Sequence, residues 1–192
     1  MSRKLPRAER RAQLLEIASD IVRKQGTDAL TLGLLAERAG VSKPITYSHF
    51  ETRSGLMMAL YKEAMDRQVE ALARALEDVP RQPELIARVL ATAYMECATT
   101  IGPEWHAIGA ALRGDAMMDA YQREMREGHA AFYADIIQPM SELDSTIVRR
   151  RSIGLIGAME ALSNEVTAGR IRLEHAVEDL IPLIVTWLIN QR

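Results

Sequence analysis

The residues best suited to chemistry lie in one segment near the amino terminus, residues 31–56. Lys43, Tyr47 and His49 bring a cation, a phenolic hydroxyl and an imidazole close together in the chain, and Pro44 adds a compact apolar ring. Charged and hydroxyl groups can hydrogen-bond phosphates and base edges, and an apolar ring can pack against the methyl group of thymine. This combination predicts a surface that contacts double-stranded DNA.

Two short helices are expected to position these side chains. Thr31 is a candidate N-cap of the first helix and Ser42 of the second, and Gly40 stands at the bend, where a small residue permits the steep crossing of a helix-turn-helix. The side chains that the second helix is expected to offer to DNA are Lys43, Pro44, Ile45, Thr46, Tyr47 and His49. Ile45 and Thr46 also suit the small core of the motif, and both interpretations stay open.

The charge of the chain is unevenly distributed. The formal net charge is −2, but residues 1–54 carry 10 Lys or Arg against 6 Asp or Glu, and residues 55–192 carry 14 against 20. The amino-terminal part therefore has a net charge of +4 and the remainder a net charge of −6. Phosphate attraction confined to one end of the molecule would give this pattern, and so would a solvated basic tail.

Composition indicates a globular protein of a reducing compartment, with 48% hydrophobic and 26% charged residues. The single cysteine, Cys97, excludes an intrachain disulfide. The basic amino terminus lacks the apolar stretch of a secretory signal, and the longest apolar run, residues 180–189, is about half of the roughly 20 residues that span a bilayer. We therefore expect a cytoplasmic protein that does not interact with a membrane.

Helix-favouring residues and apolar spacings of three and four run through the sequence, so the predicted fold class is all-α. We expect a DNA-binding domain at residues 1–51 and a helical effector-binding and dimerisation body at 52–192, connected by a helix over 52–78. The predicted helices, about nine in all, cover residues 7–24, 31–40, 43–48, 52–78, 84–101, a short stretch after Pro103, 116–137, 145–168 and 173–190.

The last two predicted helices favour a homodimer. One short recognition helix reads too few base pairs to select a single genomic site, so such heads act in pairs. Gly154 and Gly157 would let two helices approach closely, and Pro182 should kink the final helix or restart it. The residues assigned to the dimer interface are Ile153, Ile156, Met159, Leu180, Leu183, Ile184 and Trp187. An ordinary monomer core would use the same residue types.

Over about residues 7–60 the chain resembles the tetracycline-repressor (TetR) family of bacterial transcriptional regulators. The residues that carry the resemblance are A-x-x-A-G-V-S at 36–42, Tyr47, His49, Phe50 and Arg53. The resemblance implies that Tyr47, His49 and Arg53 contact phosphates, with Thr31 as a phosphate-capping hydroxyl. It also implies that Lys43, Pro44 and Ile45 face base edges. Gly33 departs from the family pattern, which commonly has a polar or basic residue there.

The resemblance further implies a repressor that leaves a palindromic operator when a small-molecule effector binds the body. Large or soft apolar groups with polar tips suit such a site, and they suit an ordinary core as well. The candidate lining residues are Tyr94, Met95, Glu96, Cys97, Trp105, His106, Met117, Tyr121, Phe132 and Tyr133. Glu96 is either exposed to water or a pocket carboxylate that favours a cationic or hydrogen-bond-donating ligand.

No motif in the sequence supports catalysis, and neither a cofactor nor a metal is predicted. The four histidines and Cys97 lack the spacing of a metal site, and neither a glycine-rich phosphate loop nor a nucleophile motif is present. Two alternatives stay open. One is a DNA-binding dimer without an effector, whose body serves only dimerisation or a protein partner. The other is a helical enzyme or lipid carrier whose basic head is incidental.

Overall fold

The computed structural model describes residues 5–101, 108, 111 and 116–189. Throughout these residues the regular structure is helical, which confirms the predicted fold class. The α-helices are α1 Arg7–Gln25, α2 Leu32–Ala39, α3 Lys43–Phe50, α4 Arg53–Leu76, α5 Pro83–Ile101, α6 Ala116–Ile137, α7 Ser145–Thr167 and α8 Leu173–Ile184. Their bounds lie close to those predicted, and the short helix expected after Pro103 lies outside the described residues.

The described residues fall into two compact units. The first contains the residues up to 64 and the start of α6, and the second contains residues 65–101 and those from 123 onwards. None of the described helices is long and apolar enough to cross a membrane.

In the first unit, α1 forms because apolar residues recur on one face. Leu14, Ala18, Ile21 and Val22 lie on this face and are buried. Gly26 ends the helix at φ 81°, a backbone conformation that favours glycine, and its N–H donates to the Val22 carbonyl at 2.8 Å. The buried face of α1 is thus set by the apolar spacing seen in the sequence.

The second unit has a hydrophobic core of its own. Helix α5 packs against α7 and α8, and α7 also packs against α8. Leu90, Met95, Leu155, Met159 and Leu180 belong to this core and are completely buried. The three helices are held together because their apolar faces are buried against one another.

The last helix continues through Pro182. Proline has no N–H to donate to the carbonyl four residues earlier, so the α-helical ladder loses a bond there. The chain then changes from α-helical to π-helical geometry at Val185–Ile189, and Thr186 Oγ1 donates to the Pro182 carbonyl at 2.6 Å. The expected disruption at Pro182 therefore takes the form of a change in helical type.

Candidate nucleic-acid interface

The turn between α2 and α3 has the geometry that a helix-turn-helix requires. Gly40 lies in the left-handed region at φ 63° and ψ 35°, and its N–H donates to the Glu37 carbonyl at 3.2 Å. The N–H of Val41 reaches back to the Ala36 carbonyl at 3.0 Å. These bonds satisfy carbonyls at the end of α2 while turning the chain sharply, and an L side chain at position 40 would be strained.

The first turn of α2 brings two of the predicted DNA-contacting residues together. Thr31 Oγ1 accepts a hydrogen bond from the Leu34 N–H at 3.0 Å, so Thr31 caps the helix. A Cβ at Gly33 would lie 3.7 Å from Lys43 Cε and 3.9 Å from Thr31 Oγ1. The Lys43 side chain therefore passes over the amino-terminal end of α2, where helix N–H groups attract anions.

Thr46 is buried inside the helix-turn-helix, which corrects the expectation that its side chain faces DNA. Its side chain is 0% exposed. Its hydroxyl is placed to donate to the Leu32 carbonyl at 3.0 Å and to the Lys43 carbonyl at 2.9 Å. The contact with Leu32 joins α3 to the start of α2, so Thr46 serves the core of the motif.

The outer face of α3 is formed by the other predicted residues. Lys43, Pro44 and Tyr47 are exposed, as is Ser42 at the N-cap position, while Ile45 and His49 are half-buried. Tyr47 is 52% exposed, which is unusual for a large aromatic side chain. The face thus carries a cation and an aromatic hydroxyl side by side.

Two arginines of α1 hold the carboxyl end of α3. Arg7 Nη2 donates to the Ser48 carbonyl at 3.2 Å, and Arg11 Nη1 donates to the His49 carbonyl at 2.8 Å. The Arg11 guanidinium also lies 4.8 Å from the centre of the Phe50 ring. Carbonyls in the last turn of a helix lack intrahelical donors and carry partial negative charge, so cations are favourable there.

Sequence reasoning missed this role of Arg7 and Arg11, because it considered the basic residues near the amino terminus only as a source of phosphate attraction or as a solvated tail. The contacts join residues 41 and 38 positions apart. The only signal in the sequence was the spacing of four, which places both arginines on one side of α1.

Arg53 fixes the segment that precedes α2. Its Nε donates to the Leu30 carbonyl at 2.9 Å and its Nη2 to the Thr27 carbonyl at 2.7 Å, with Asp28 Oδ1 at 4.0 Å. The side chain remains 44% exposed. Any contact between Arg53 and a phosphate would therefore share a guanidinium that already positions the backbone.

The junction of α3 and α4 depends on a glycine. A Cβ at Gly55 would stand 2.2 Å from the Phe50 carbonyl oxygen, which no side chain permits. Glu51 adopts a φ of 61°, and Thr52 Oγ1 accepts from the Gly55 N–H at 3.0 Å, capping α4. This close approach brings the end of α3 against the start of α4.

The surroundings of His49 favour its neutral form. Burial lowers its pKa below the ordinary value, and the positive charges of Arg7, Arg11 and Arg10 lower that pKa further.

The sequence profile of the family described as "Bacterial regulatory proteins, tetR family" matches residues 14–60, from within α1 into α4. Over these residues the chain is similar to the TetR family. It is 41% identical over 73 residues to the HTH-type transcriptional activator FasR of Mycolicibacterium smegmatis. Over 74 residues it is 31% identical to an uncharacterised HTH-type transcriptional regulator of Mycobacterium bovis. Both matches cover 38% of this chain, which spans only 33% and 38% of the lengths of these relatives.

Solved structures share this TetR-family fold over nearly the whole chain. A TetR-like transcriptional regulator from Rhodococcus sp. RHA1 has a TM-score of 0.69 at 24% identity, covering 94% of this chain and 96% of that one. The fatty acid degradation regulator FadR from Bacillus halodurans has a TM-score of 0.74 at 18% identity, covering 97% and 98%. At these identities the likeness establishes the fold alone. The matched family is described as one of regulatory proteins, and the Mycolicibacterium and Mycobacterium relatives are named a transcriptional activator and a transcriptional regulator.

The predicted effector residues are only partly brought together. Tyr94, Met95 and Tyr133 are buried, and Phe132 and Cys97 are half-buried, all in the second unit. Tyr121 is half-buried and belongs to the first unit, and Glu96 is exposed on α5. Trp105 and His106 lie outside the described residues, as does the side chain of Met117. Among the described residues, no group of three or more His, Cys, Asp or Glu could hold a metal ion.

The predicted dimer residues divide into core and surface. Ile156, Met159, Leu180 and Ile184 are buried within the chain's own hydrophobic core, which corrects their assignment to a surface. Ile153 is 41% exposed, Trp187 is 36% exposed, and Leu183 is half-buried. Periodicity alone could not separate the two groups because the final helix is apolar on nearly every side.

Proposed function

We propose that this chain is a TetR-family transcriptional regulator that binds double-stranded DNA as a homodimer, with α3 in the major groove. The proposal is carried by the exposed face of Lys43, Pro44 and Tyr47 on a helix whose opposite face is fixed by Thr46. Residues 1–51 act as the DNA-binding domain and residues 52–192 as the body, in the cytoplasm. Because α3 is already held rigidly, it loses less conformational entropy on binding DNA than a mobile helix would.

Each residue of the face has a distinct role in this proposal. Lys43 reaches guanine O6 or N7, and Pro44 and Ile45 pack against a thymine methyl group. Tyr47 and His49 hydrogen-bond phosphates and set the position of the helix on the backbone. The further phosphate contacts proposed are Thr31, Ser42 and Arg53.

The test measures the affinity of the full chain for operator fragments recovered by genomic pull-down, as a function of salt. Lys43→Ala should weaken operator binding by about 1–3 kcal/mol and relax preference at one base position. Lys24→Ala is the matched control, because Lys24 carries the same charge on α1 and pairs with Asp20 at 2.7 Å. Equal effects of the two variants, or an affinity independent of salt, would contradict the proposed docking.

Exposed apolar side chains on α7 and on the segment Val185–Ile189 support the homodimer. The Trp187 indole lies on Gly154, since a Cβ there would stand 2.7 Å from Trp187 Cη2, and the Arg151 guanidinium lies 5.9 Å from the ring. Trp187 and Ile153 are both exposed, and large exposed apolar side chains are of the kind that protein interfaces use.

Light scattering coupled to size exclusion tests the dimer. Trp187→Ala should shift the dimer towards monomer at micromolar concentration, because central aromatic anchors dominate interface energies. Leu85→Ala removes another exposed side chain, one that is 38% exposed on α5, and should leave the mass unchanged. A monomeric native chain would refute the dimer.

We further propose that a small-molecule effector binds the body and releases the operator, so that the chain acts as a repressor. The buried aromatic and polar residues of the second unit support this part. The Mycolicibacterium relative is named an activator, and a reporter gene placed behind the operator distinguishes the two directions. The second candidate function, a regulator without an effector, is favoured by the exposure of Glu96, which removes the one charged residue predicted for the pocket.

A further inference from the structure

Two polar side chains of α6 are buried, and each has a hydrogen-bonding atom without a partner among the described residues. His129 is 3% exposed and Tyr133 is 0% exposed. Among the residues that the structure describes, neither His129 Nε2 nor the Tyr133 hydroxyl has a hydrogen-bond partner. Buried polar atoms are nearly always satisfied in folded proteins, and leaving one unsatisfied is costly. The spacing of four places both residues on the same side of α6.

The surroundings of the pair are aromatic and apolar. The His129 ring lies 5.1 Å from the Tyr133 ring, edge-on, and 6.2 Å from the Tyr94 ring of α5 in a stacked arrangement. Met95 and Ala130 are completely buried in the same core. A ligand that reached these atoms would therefore meet rings and aliphatic groups around a small polar centre.

Neither member of the pair carries a charge at neutral pH. Burial lowers the pKa of His129 to about 4 and raises that of Tyr133 well above its ordinary value. The centre therefore offers a neutral imidazole and a neutral phenol, and it supplies no counter-charge of its own for an ionised ligand.

We infer that His129 and Tyr133 form a two-point anchor for an uncharged oxygen group on an otherwise apolar effector. The inference deepens the proposed effector site and rests on it. A ligand hydroxyl can donate to Nε2 while it accepts from the Tyr133 O–H. A ligand carbonyl can accept from both residues when Nε2 carries the proton. The anchor selects alcohols, ketones or esters over carboxylates and amines.

The experiment uses the whole chain and four probes that share a six-membered carbon ring: cyclohexanol, cyclohexanone, cyclohexanecarboxylate and cyclohexylammonium. Binding is followed by the ¹⁵N shift of the His129 ring nitrogens and by calorimetry. At least one uncharged probe should bind and shift the His129 Nε2 resonance. Tyr133→Phe and His129→Phe should each weaken that binding roughly two- to tenfold. Tyr61→Phe, a buried tyrosine of α4, is the matched control and should leave it unchanged.

A second measurement needs no ligand. If the Tyr133 hydroxyl is unsatisfied in the free protein, Tyr133→Phe should leave the melting temperature unchanged or raise it, because only an unmade bond is removed. A lowered melting temperature would show that the hydroxyl is already bonded, for instance to an internal water, and would overturn the anchor. Charged probes that bind as well as the neutral ones, or no binding by any probe, would also overturn it.

These outcomes are separable from failure of the proposed function. If neutral probes bind at His129 without changing operator affinity, the anchor stands and effector control fails. If a cell-extract fraction releases the operator equally from the native chain and from Tyr133→Phe, effector control stands and the anchor fails.

Discussion

At the residue scale, polar side chains of the first unit hydrogen-bond the backbone, in addition to the contacts with DNA proposed for this unit. Thr46, Arg7, Arg11 and Arg53 all donate to carbonyl groups of the first unit. The bonds of Arg7 and Arg11 satisfy acceptors that the last turn of α3 leaves open, and those of Thr46 and Arg53 fix the start of α2 and the segment before it. The basic character of the amino-terminal part therefore has a structural use in addition to any attraction for phosphate.

Thr46→Val tests the bond between α3 and α2. The substitution keeps the shape of the side chain but removes the donor, leaving the buried Leu32 carbonyl without this partner. We expect the free energy of unfolding to fall by about 1–3 kcal/mol in urea titrations. Ser48→Ala is the control, since the exposed Ser48 Oγ bonds only locally, to the Ile45 carbonyl. Unchanged stability with lost operator affinity would instead make Thr46 a DNA contact.

The lowered pKa of His129 predicts how the free energy of unfolding depends on pH. Its pKa is lowered from 6.5 to about 4 in the folded chain, so between these values the unfolded state binds the proton more readily. The free energy of unfolding should consequently decrease as the pH falls from 6.5 to 4, by about 3 kcal/mol in total. Urea titrations at several pH values measure this loss. His129→Gln should remove it, whereas His175→Gln, at an exposed position, should not.

At the element scale, the sequence predicted where helices lie much better than which side chains they bury. Thr31, Gly40 and Thr52 mark helix ends through local backbone bonds that neighbouring residues determine. Burial of Thr46 depended on the crossing of α2 and α3, and burial of Ile156 and Leu180 depended on packing within the second unit. These are contacts between distant residues, so local spacing could not decide them.

Substitution by alanine should change stability in opposite directions at two glycines of the first unit. Gly33→Ala adds a Cβ with no atom nearer than 3.7 Å and should stabilise α2 by about 0.5–1 kcal/mol. Gly55→Ala forces a Cβ against the Phe50 carbonyl at 2.2 Å and should destabilise the chain by about 1–3 kcal/mol, as overpacking does. Thermal unfolding of the pair compares them directly, and a Gly55→Ala chain as stable as the native chain would show that the α3–α4 junction is not close-packed.

At the scale of the whole molecule, the formal charge of −2 divides into a basic amino-terminal part and an acidic remainder. The net charge of residues 55–192 is −6, which repels DNA at long range. In the proposed dimer, selectivity would depend on two DNA-binding domains bound to one operator.

A comparison of half-site and full-palindrome DNA measures this dependence. The native chain should bind the full palindrome at least tenfold more tightly than the half-site, because the second head binds at high effective concentration. Trp187→Ala should remove most of that difference while leaving half-site affinity unchanged. Leu85→Ala should preserve the difference. An equal preference in all three chains would mean that Trp187 plays no part in pairing.

The hydrogen bonds from Arg7 and Arg11 to the end of α3 have a consequence for how the specificity for DNA sequence can change. Both arginines bind main-chain carbonyls, which every amino acid provides, so their hold does not depend on the side chains at Ser48 and His49. The exposed positions Lys43, Pro44 and Tyr47 could then be exchanged without loosening the helix. Such a head is suited to acquiring new operators by substitution, in evolution or by directed selection, while its scaffold stays the same.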